Sequence, residues 1–441
     1  MAQMMHPSRL PAAGSPGTDF TGPRGPLRHR CGLCSKPGLK LSRCASCQVV
    51  RYCSRDHQVQ HRPEHKSLCN RIKKCRSKLA KEEHAVRNAT PDFMTPANAF
   101  ETSVGHFWGI LSTRDYMRAR YDLADTVRRV GSLDGVTEAL DHMRDMLRLC
   151  RGDNMGVRDL IPPMMLQLDR DQECYDFIKW YQTEGQRSDY DWGNPDLPFL
   201  DVHDANVLEG VQYLNVERGD VPHISALLLL KLKLLIDVIA LTLTRQVIPG
   251  HLPPELGELV EMHVIRSPRK LQSHVMFIAN SMRNLNEHYV YVLLDAEEYL
   301  PNPPEYYSPG SFEEMLRILQ HSYSAWWQHE GVLEILQSAK VIAGKDSEDE
   351  IEDMMDTLTF RNNPGSDRSK EEMLDDVSRN RLWGYLDHAV MDAMSLSKDR
   401  PSDLERLRLK AEWEAAEREE REFEERGSDE LPEWEDSDDS D

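Results

Sequence analysis

Eight residues between positions 31 and 69 have the types and spacings of metal ligands, in four pairs: Cys31 with Cys34, Cys44 with Cys47, Cys53 with His57, and His65 with Cys69. A two-residue gap lets a tight turn aim both sulfurs at one ion, and an i, i+4 gap stacks two ligands on one helix face. Thiolate together with neutral imidazole suits zinc, and eight such ligands complete two tetrahedral ions with no position left open. Closed coordination serves structure rather than catalysis. Disulfide bonding fits poorly, because the nine cysteines are odd in number and six of them crowd into this one block. Cys75, Cys150 and Cys174 stand outside the pairs and read as ordinary thiols.

Which pairs share an ion is left open by charge. Sequential pairing makes one all-cysteine site and one site of two cysteines and two histidines. Interleaved pairing makes two sites of three cysteines and one histidine, which spreads the thiolate charge evenly, and both are chemically acceptable.

The run Cys31-Gly-Leu-Cys34, Cys44-Ala-Ser-Cys47, Arg51-Tyr52-Cys53, His57-Gln58, His61 and His65-Lys66-Ser-Leu-Cys69 resembles a MYND-type zinc finger. In that family the finger is an interleaved two-zinc cross-brace. The resemblance implies that Cys31, Cys34, Cys53 and His57 hold one Zn2+ and that Cys44, Cys47, His65 and Cys69 hold the other. His57 stands where the family usually has cysteine, and Arg62 follows His61 where the family usually has tryptophan, which removes an aromatic packing surface. His61 is surplus to both tetrahedra and takes a hydrogen-bonding role. The resemblance also implies docking of protein partners through short proline-containing peptides. It extends over residues 31 to 69 of 441.

The elements around this block follow from composition and period. Residues 1–27 are rich in Pro, Gly and Ser and read as a disordered arm, ahead of a finger over 28–72. The basic stretch RIKKCRSKLAK after it reads as a helix leaving the finger. Residues 100–343 read as an α-helical, repeat-like domain. Within it, Tyr116 to Val130 and Val136 to Cys150 form two amphipathic helices around the turn GSLDG, and aligning Ala139 with Cys174 gives an offset of 35. That offset is close to the period of about 34 of tetratricopeptide-like helix pairs, which the segment loosely resembles. Pro162 and Pro163 would break a helix interior and so mark either a kink or a helix start. Residues 344–441 read as an acidic, mostly disordered tail with an exposed helix near 403–426. The fold class is therefore mainly α: a small two-zinc finger, a helical body and an acidic tail.

The apolar stretch 224–244 is long enough to span a bilayer, yet Lys231, Lys233 and Asp237 run through its middle, so it reads as a buried core helix with no membrane partner. Trp326 and Trp327 point about 100° apart on a helix, which favours core packing over ligand stacking. The N-terminus lacks the apolar core of a secretory signal, and a cytoplasmic or nuclear location is expected rather than secretion.

The formal net charge is −21, but residues 1–81 carry 17 Lys and Arg against 3 Asp and Glu, whereas residues 345–441 carry 14 against 33. Direct nucleic-acid binding is disfavoured, because the basic residues are interleaved with ligands and the chain as a whole is acidic. Relatives of the finger also occur in SET-type lysine methyltransferases. No Asn-His-Ser tripeptide is present here and the body reads as helical. Asp201, His203 and Asp204 in DVHDAN lack a second pair at ligand spacing and read as a solvated loop. The expected function is a non-enzymatic, zinc-binding adaptor or scaffold, with the finger docking a partner peptide, the helical body offering a second surface, and roles in transcription or protein turnover.

Overall fold

The computed structural model describes residues 24–38, 40–214, 219–247, 267–301 and 304–343, with the isolated positions Glu352, Asp353, Leu386 and Arg418. Apart from those four positions, the expected tail, with its helix near 403–426, and residues 1–23 of the expected arm lie outside the described residues. The chain is mainly α, as its periodicity implies. A two-stranded antiparallel hairpin, β1 (Ser42–Arg43) and β2 (Arg51–Tyr52), carries the finger together with α1 (Arg55–Gln60) and the start of α2 (Arg62–Arg87). The body follows as α3 (Ala99–Thr102), α4 (Arg114–Arg128), α5 (Leu133–Leu149), α6 (Ile161–Gln167) and α7 (Asp171–Gln182). It continues with α8 (Val221–Val247), α9 (Ser267–Leu285), α10 (Tyr289–Leu294), α11 (Ala296–Tyr299), α12 (Phe312–Gln328) and α13 (Val332–Ala343).

The turn GSLDG is built for a close antiparallel return. Gly131 adopts φ +67°, the left-handed region that glycine enters without penalty. Ser132 then caps α5 by accepting from the Gly135 amide, and a Cβ at Gly135 would stand 2.5 Å from the Val127 carbonyl oxygen at the end of α4. Glycine is thus required twice in five residues, and α4 and α5 pack along their lengths. Ala139 on α5 and Cys174 on α7 are both fully buried small residues facing the core. Pro162 and Pro163 lie in the first turn of α6, where a missing amide breaks no helical hydrogen bond, so they start a helix rather than interrupt one. The α6 and α7 pair is shorter than the one before it, 7 and 12 residues against 15 and 17.

Helix α8 is the centre of the body, with α6, α7, α9, α12 and α13 against it. Its two lysines are satisfied by protein groups and Asp237 is exposed: the buried Lys231 ammonium reaches the Val207 carbonyl and lies 4.9 Å from the Tyr175 ring, and Lys233 pairs with Asp169 at 2.7 Å and Asp171 at 2.9 Å. No described helix is long and apolar enough to cross a membrane. Trp326 is fully buried, while Trp327 is half-buried beneath the Arg24 guanidinium at 4.3 Å.

The finger is bound to this body in two ways. Helix α2 begins inside the finger and runs on for 26 residues, burying Ile72 and Val86 with Leu79 half-buried, and packs on α4. The hairpin docks on the GSLDG turn: Arg51 Nε donates to Asp134 Oδ2 at 2.6 Å and Arg43 Nη2 to Asp134 Oδ1 at 2.7 Å, with His29 Nδ1 3.7 Å away. The Ser132 hydroxyl donates to the Val49 carbonyl at 2.6 Å. Arg76 on α2 bridges the two sides, donating to the Cys47 carbonyl at 2.9 Å and to Glu138 at 2.8 Å.

Burial alone would raise the Asp134 carboxyl, but the hydrogen bonds and charge of Arg51, helped by Arg43 and His29, outweigh it and hold the group below the usual carboxylate range. Its contribution is therefore complete above the unfolded pKa of about 4 and is lost as pH falls through the lower folded value. Asp134→Ala is expected to cost about 2–3 kcal/mol at neutral pH, measured by urea unfolding, because it strands the half-buried Arg51. The difference from wild type should shrink as the pH drops below about 4.

Candidate metal centre

The hairpin is the strut that crosses the two ligand sets. Cys31 and Cys34 come from the first turn of the finger, in which the Ser35 amide donates to the Cys31 carbonyl at 2.9 Å. Cys44 follows β1 and Cys47 ends the next turn, which closes through the Gln48 amide on the Cys44 carbonyl at 2.9 Å. Cys53 follows β2, and His57 sits on α1, where Ser54 caps the helix by accepting from the His57 amide at 3.2 Å. His65 and Cys69 lie one turn apart on α2.

These elements bring the eight residues together as two groups of four, Cys31, Cys34, Cys53 and His57 in one and Cys44, Cys47, His65 and Cys69 in the other. Within each group the ligand atoms all lie within 4.8 Å of one another. The arrangement is the interleaved one that charge alone left open. Zn–S and Zn–N bonds of ordinary length would separate two sulfurs on a tetrahedron by about 3.8 Å, and a sulfur from a nitrogen by about 3.5 Å. The structure places Cys44 Sγ 3.8 Å from Cys69 Sγ and Cys34 Sγ 4.0 Å from Cys53 Sγ. Cys47 Sγ lies 3.5 Å from His65 Nε2, and His57 Nδ1 lies 3.5 Å from Cys31 Sγ and 3.2 Å from Cys53 Sγ. Both donor sets therefore fit zinc in identity and in spacing, one histidine offering Nδ1 and the other Nε2.

Their electrostatics differ. The second group is wholly buried, while the first lies at the surface with Cys53 exposed. Burial pushes the Cys47 thiol up to about 12, the result expected where sulfurs crowd together without a countercharge. Burial also acts upward on Cys31, but the backbone amides of Cys34, Cys53 and Leu33 overcome it and hold that thiol down at about 5, ready as a thiolate. Burial lowers His65 to about 4, so its imidazole is neutral at physiological pH, the state a ligand requires.

His61 joins neither group. Its Nδ1 is hydrogen-bonded to the Tyr52 hydroxyl at 3.0 Å, and its ring stacks on His65 with centroids 5.6 Å apart. Asp201, His203 and Asp204 lie in an exposed loop and are not gathered into a cluster; Asp201 accepts from Trp180 Nε1 at 3.0 Å. Cys75 packs beside Thr126, and Cys150 and Cys174 are buried. Asp134 and Glu138, which anchor the finger, carry no sequence signal of their own, because their partners are distant in the chain and none of these residues belongs to a motif.

Residues 31–69 match the family model of the MYND finger, a zinc-binding protein-interaction domain. Comparison with curated proteins and with solved structures returned no match.

Elemental analysis of the purified chain is expected to find two zinc ions. The Cys34→Ala/Cys53→Ala variant should keep one of them and Cys44→Ala/Cys53→Ala should keep neither; sequential pairing would break both sets in either variant, so one zinc retained by the first variant marks the interleaved arrangement. Because α2 carries ligands at one end and body contacts at the other, a strong chelator should also lower the thermal midpoint of the whole helical signal.

Proposed function

We propose that this chain is a non-enzymatic adaptor whose zinc finger docks a partner peptide while the helical body holds that finger in a set orientation and offers a second surface. The observation that carries this reading is which side of the finger the body covers. The hairpin side is occupied by Asp134, Ser132 and Glu138. Helix α1, by contrast, buries none of its residues, and Val59 is 58% exposed beside Gln58, His61 and Arg62. An apolar side chain with polar and cationic neighbours is a suitable seat for a short proline-containing segment, whose preformed extended backbone loses little entropy on binding.

The charge distribution supports the same reading over nucleic-acid binding. Arg43, Arg51, Arg76 and Lys78 of the basic head pair with Asp134, Glu138 and Asp122 of the body, so part of that charge is consumed within the chain. The helical body is the proposed second surface, and a tetratricopeptide-like pairing of α4 with α5 and α6 with α7 is part of the proposal. Transcriptional regulation or protein turnover, in the cytoplasm or nucleus, are the settings in which such an adaptor would act.

Binding of the purified chain to an array of proline-containing peptides tests the proposal. Val59→Asp should weaken the selected peptides at least about tenfold while the zinc content stays unchanged, and chelation should abolish binding. Binding that survives both treatments would remove the finger from the function.

A further inference from the structure

A second group of chemically capable side chains lies away from the finger, where the connection between α5 and α6 meets the start of α8. The single helical turn Val157–Asp159 supplies Asp159, and Asp220 and His223 sit at the N-terminal end of α8, where the Ile224 amide donates to the Asp220 carbonyl at 3.0 Å. One ligand atom from each of Asp159, Asp220 and His223 lies within 4.8 Å of the others. His223 is 0% exposed, and its Nδ1 stands 3.9 Å from Asp220 Oδ2. Among the described residues, neither His223 Nδ1 nor Asp159 Oδ1 has a hydrogen-bond partner, and the buried Tyr181 hydroxyl beside them has none either.

The proton on the imidazole can be placed. His223 Nε2 lies 3.2 Å from the Arg158 carbonyl, which only accepts, so Nε2 carries the hydrogen. Burial keeps the ring neutral, and Nδ1 is then a bare lone pair turned toward two carboxylates. Lone pairs facing one another in a buried place repel unless something positive lies between them. Arg158 is close, at 3.5 Å from Asp220 Oδ2 and 3.7 Å from Asp159 Oδ1, but it leaves Asp159 Oδ1 without a hydrogen bond. The Asp153 carboxylate is already engaged with the Val157 and Arg158 amides at 2.9 Å each, which adds negative charge while fixing the turn.

We propose that Asp159, Asp220 and His223 form a third metal site, for a divalent cation bound through carboxylate oxygen and imidazole nitrogen, which staples α8 to the α5–α6 connection. A ligating histidine that donates its other ring N–H to a backbone carbonyl is the arrangement by which proteins fix the tautomer and aim the free nitrogen at a metal, and His223 on the Arg158 carbonyl has that arrangement. Two carboxylates with one imidazole suit Mn2+ or Zn2+ rather than the softer ions. The Asp159 side chain is 34% exposed although its Oδ1 is covered, so the ion has a way in from solvent. Asp220 and His223 stand three residues apart, but Asp159 lies far from both in the chain, so no short motif contains the whole set.

The test uses the full chain with its finger loaded with zinc, titrated with Mn2+ and followed by loss of the free-ion electron paramagnetic resonance signal. Mn2+ is chosen because thiolate-rich sites hold it poorly, so its uptake reports on this site and not on the finger. One Mn2+ per chain is expected, with a rise in thermal midpoint. Asp159→Asn and His223→Gln should each weaken uptake at least about tenfold while the finger keeps its zinc and the far-ultraviolet circular dichroism is unchanged. A wild-type chain that takes up neither Mn2+ nor a third Zn2+ overturns the proposal whether or not the variants fold, and that outcome would assign the pair to a proton shared between Asp159 and His223. Equal uptake by wild type and folded variants also overturns it.

Discussion

Sulfurs gathered within a few ångströms of one another inside a protein repel as soon as they ionise, and only a cation among them turns that repulsion into cohesion. Each half of the finger presents three cysteines and one histidine under this constraint. Two short strands, one six-residue helix and a few turns bury little apolar surface of their own. The metal sets are what such a small unit has in place of a large core, and every other feature of the finger follows from having to deliver four ligand pairs to two points. The hairpin sends Cys44 and Cys53 in opposite directions, and that divergence is the interleaving.

The second requirement is orientation. A finger tied only by a linker would sample many positions, whereas here the last ligand helix is also a helix of the body, and the hairpin rests on Asp134 and Ser132. The contacts are unequal in strength. Arg51 and Asp134 are shielded enough for their paired hydrogen bonds to count, while the more exposed Lys78 and Asp122 pair adds little. The anchoring therefore concentrates at one carboxylate and at the apolar side of α2, around Ile72.

The local part of this architecture was legible in the sequence. Ligand types and gaps pointed to two zinc sites, the apolar period marked the helices, and GSLDG announced a tight return between α4 and α5. The charges inside 224–244 spoke for a core helix, and Lys233 finds its counterions on α7 and just before it. What was not legible depends on proximity between distant residues. Donor chemistry left the pairing of the ligand sets undecided, and only family resemblance pointed to the interleaved arrangement that the geometry displays. The partners of Asp134 lie in the finger, 83 and 91 positions away, and nothing in an isolated aspartate tells which arginine it will meet. The two prolines of α6 were ambiguous for a related reason, since a first turn and an interior look alike until the preceding residues have been placed.

Helix α2 has a consequence for how this chain can change. Its 26 residues extend about 39 Å, and each residue advances the helix by about 100°. The ligands His65 and Cys69 and the body-facing Ile72 and Val86 are therefore locked in rotational phase. Inserting or deleting a single residue between them would turn the finger by more than a quarter of a revolution and swing its hairpin off Asp134. The loop after Asn88 is under no such restriction, so tolerance to length variation should change abruptly where the helix ends.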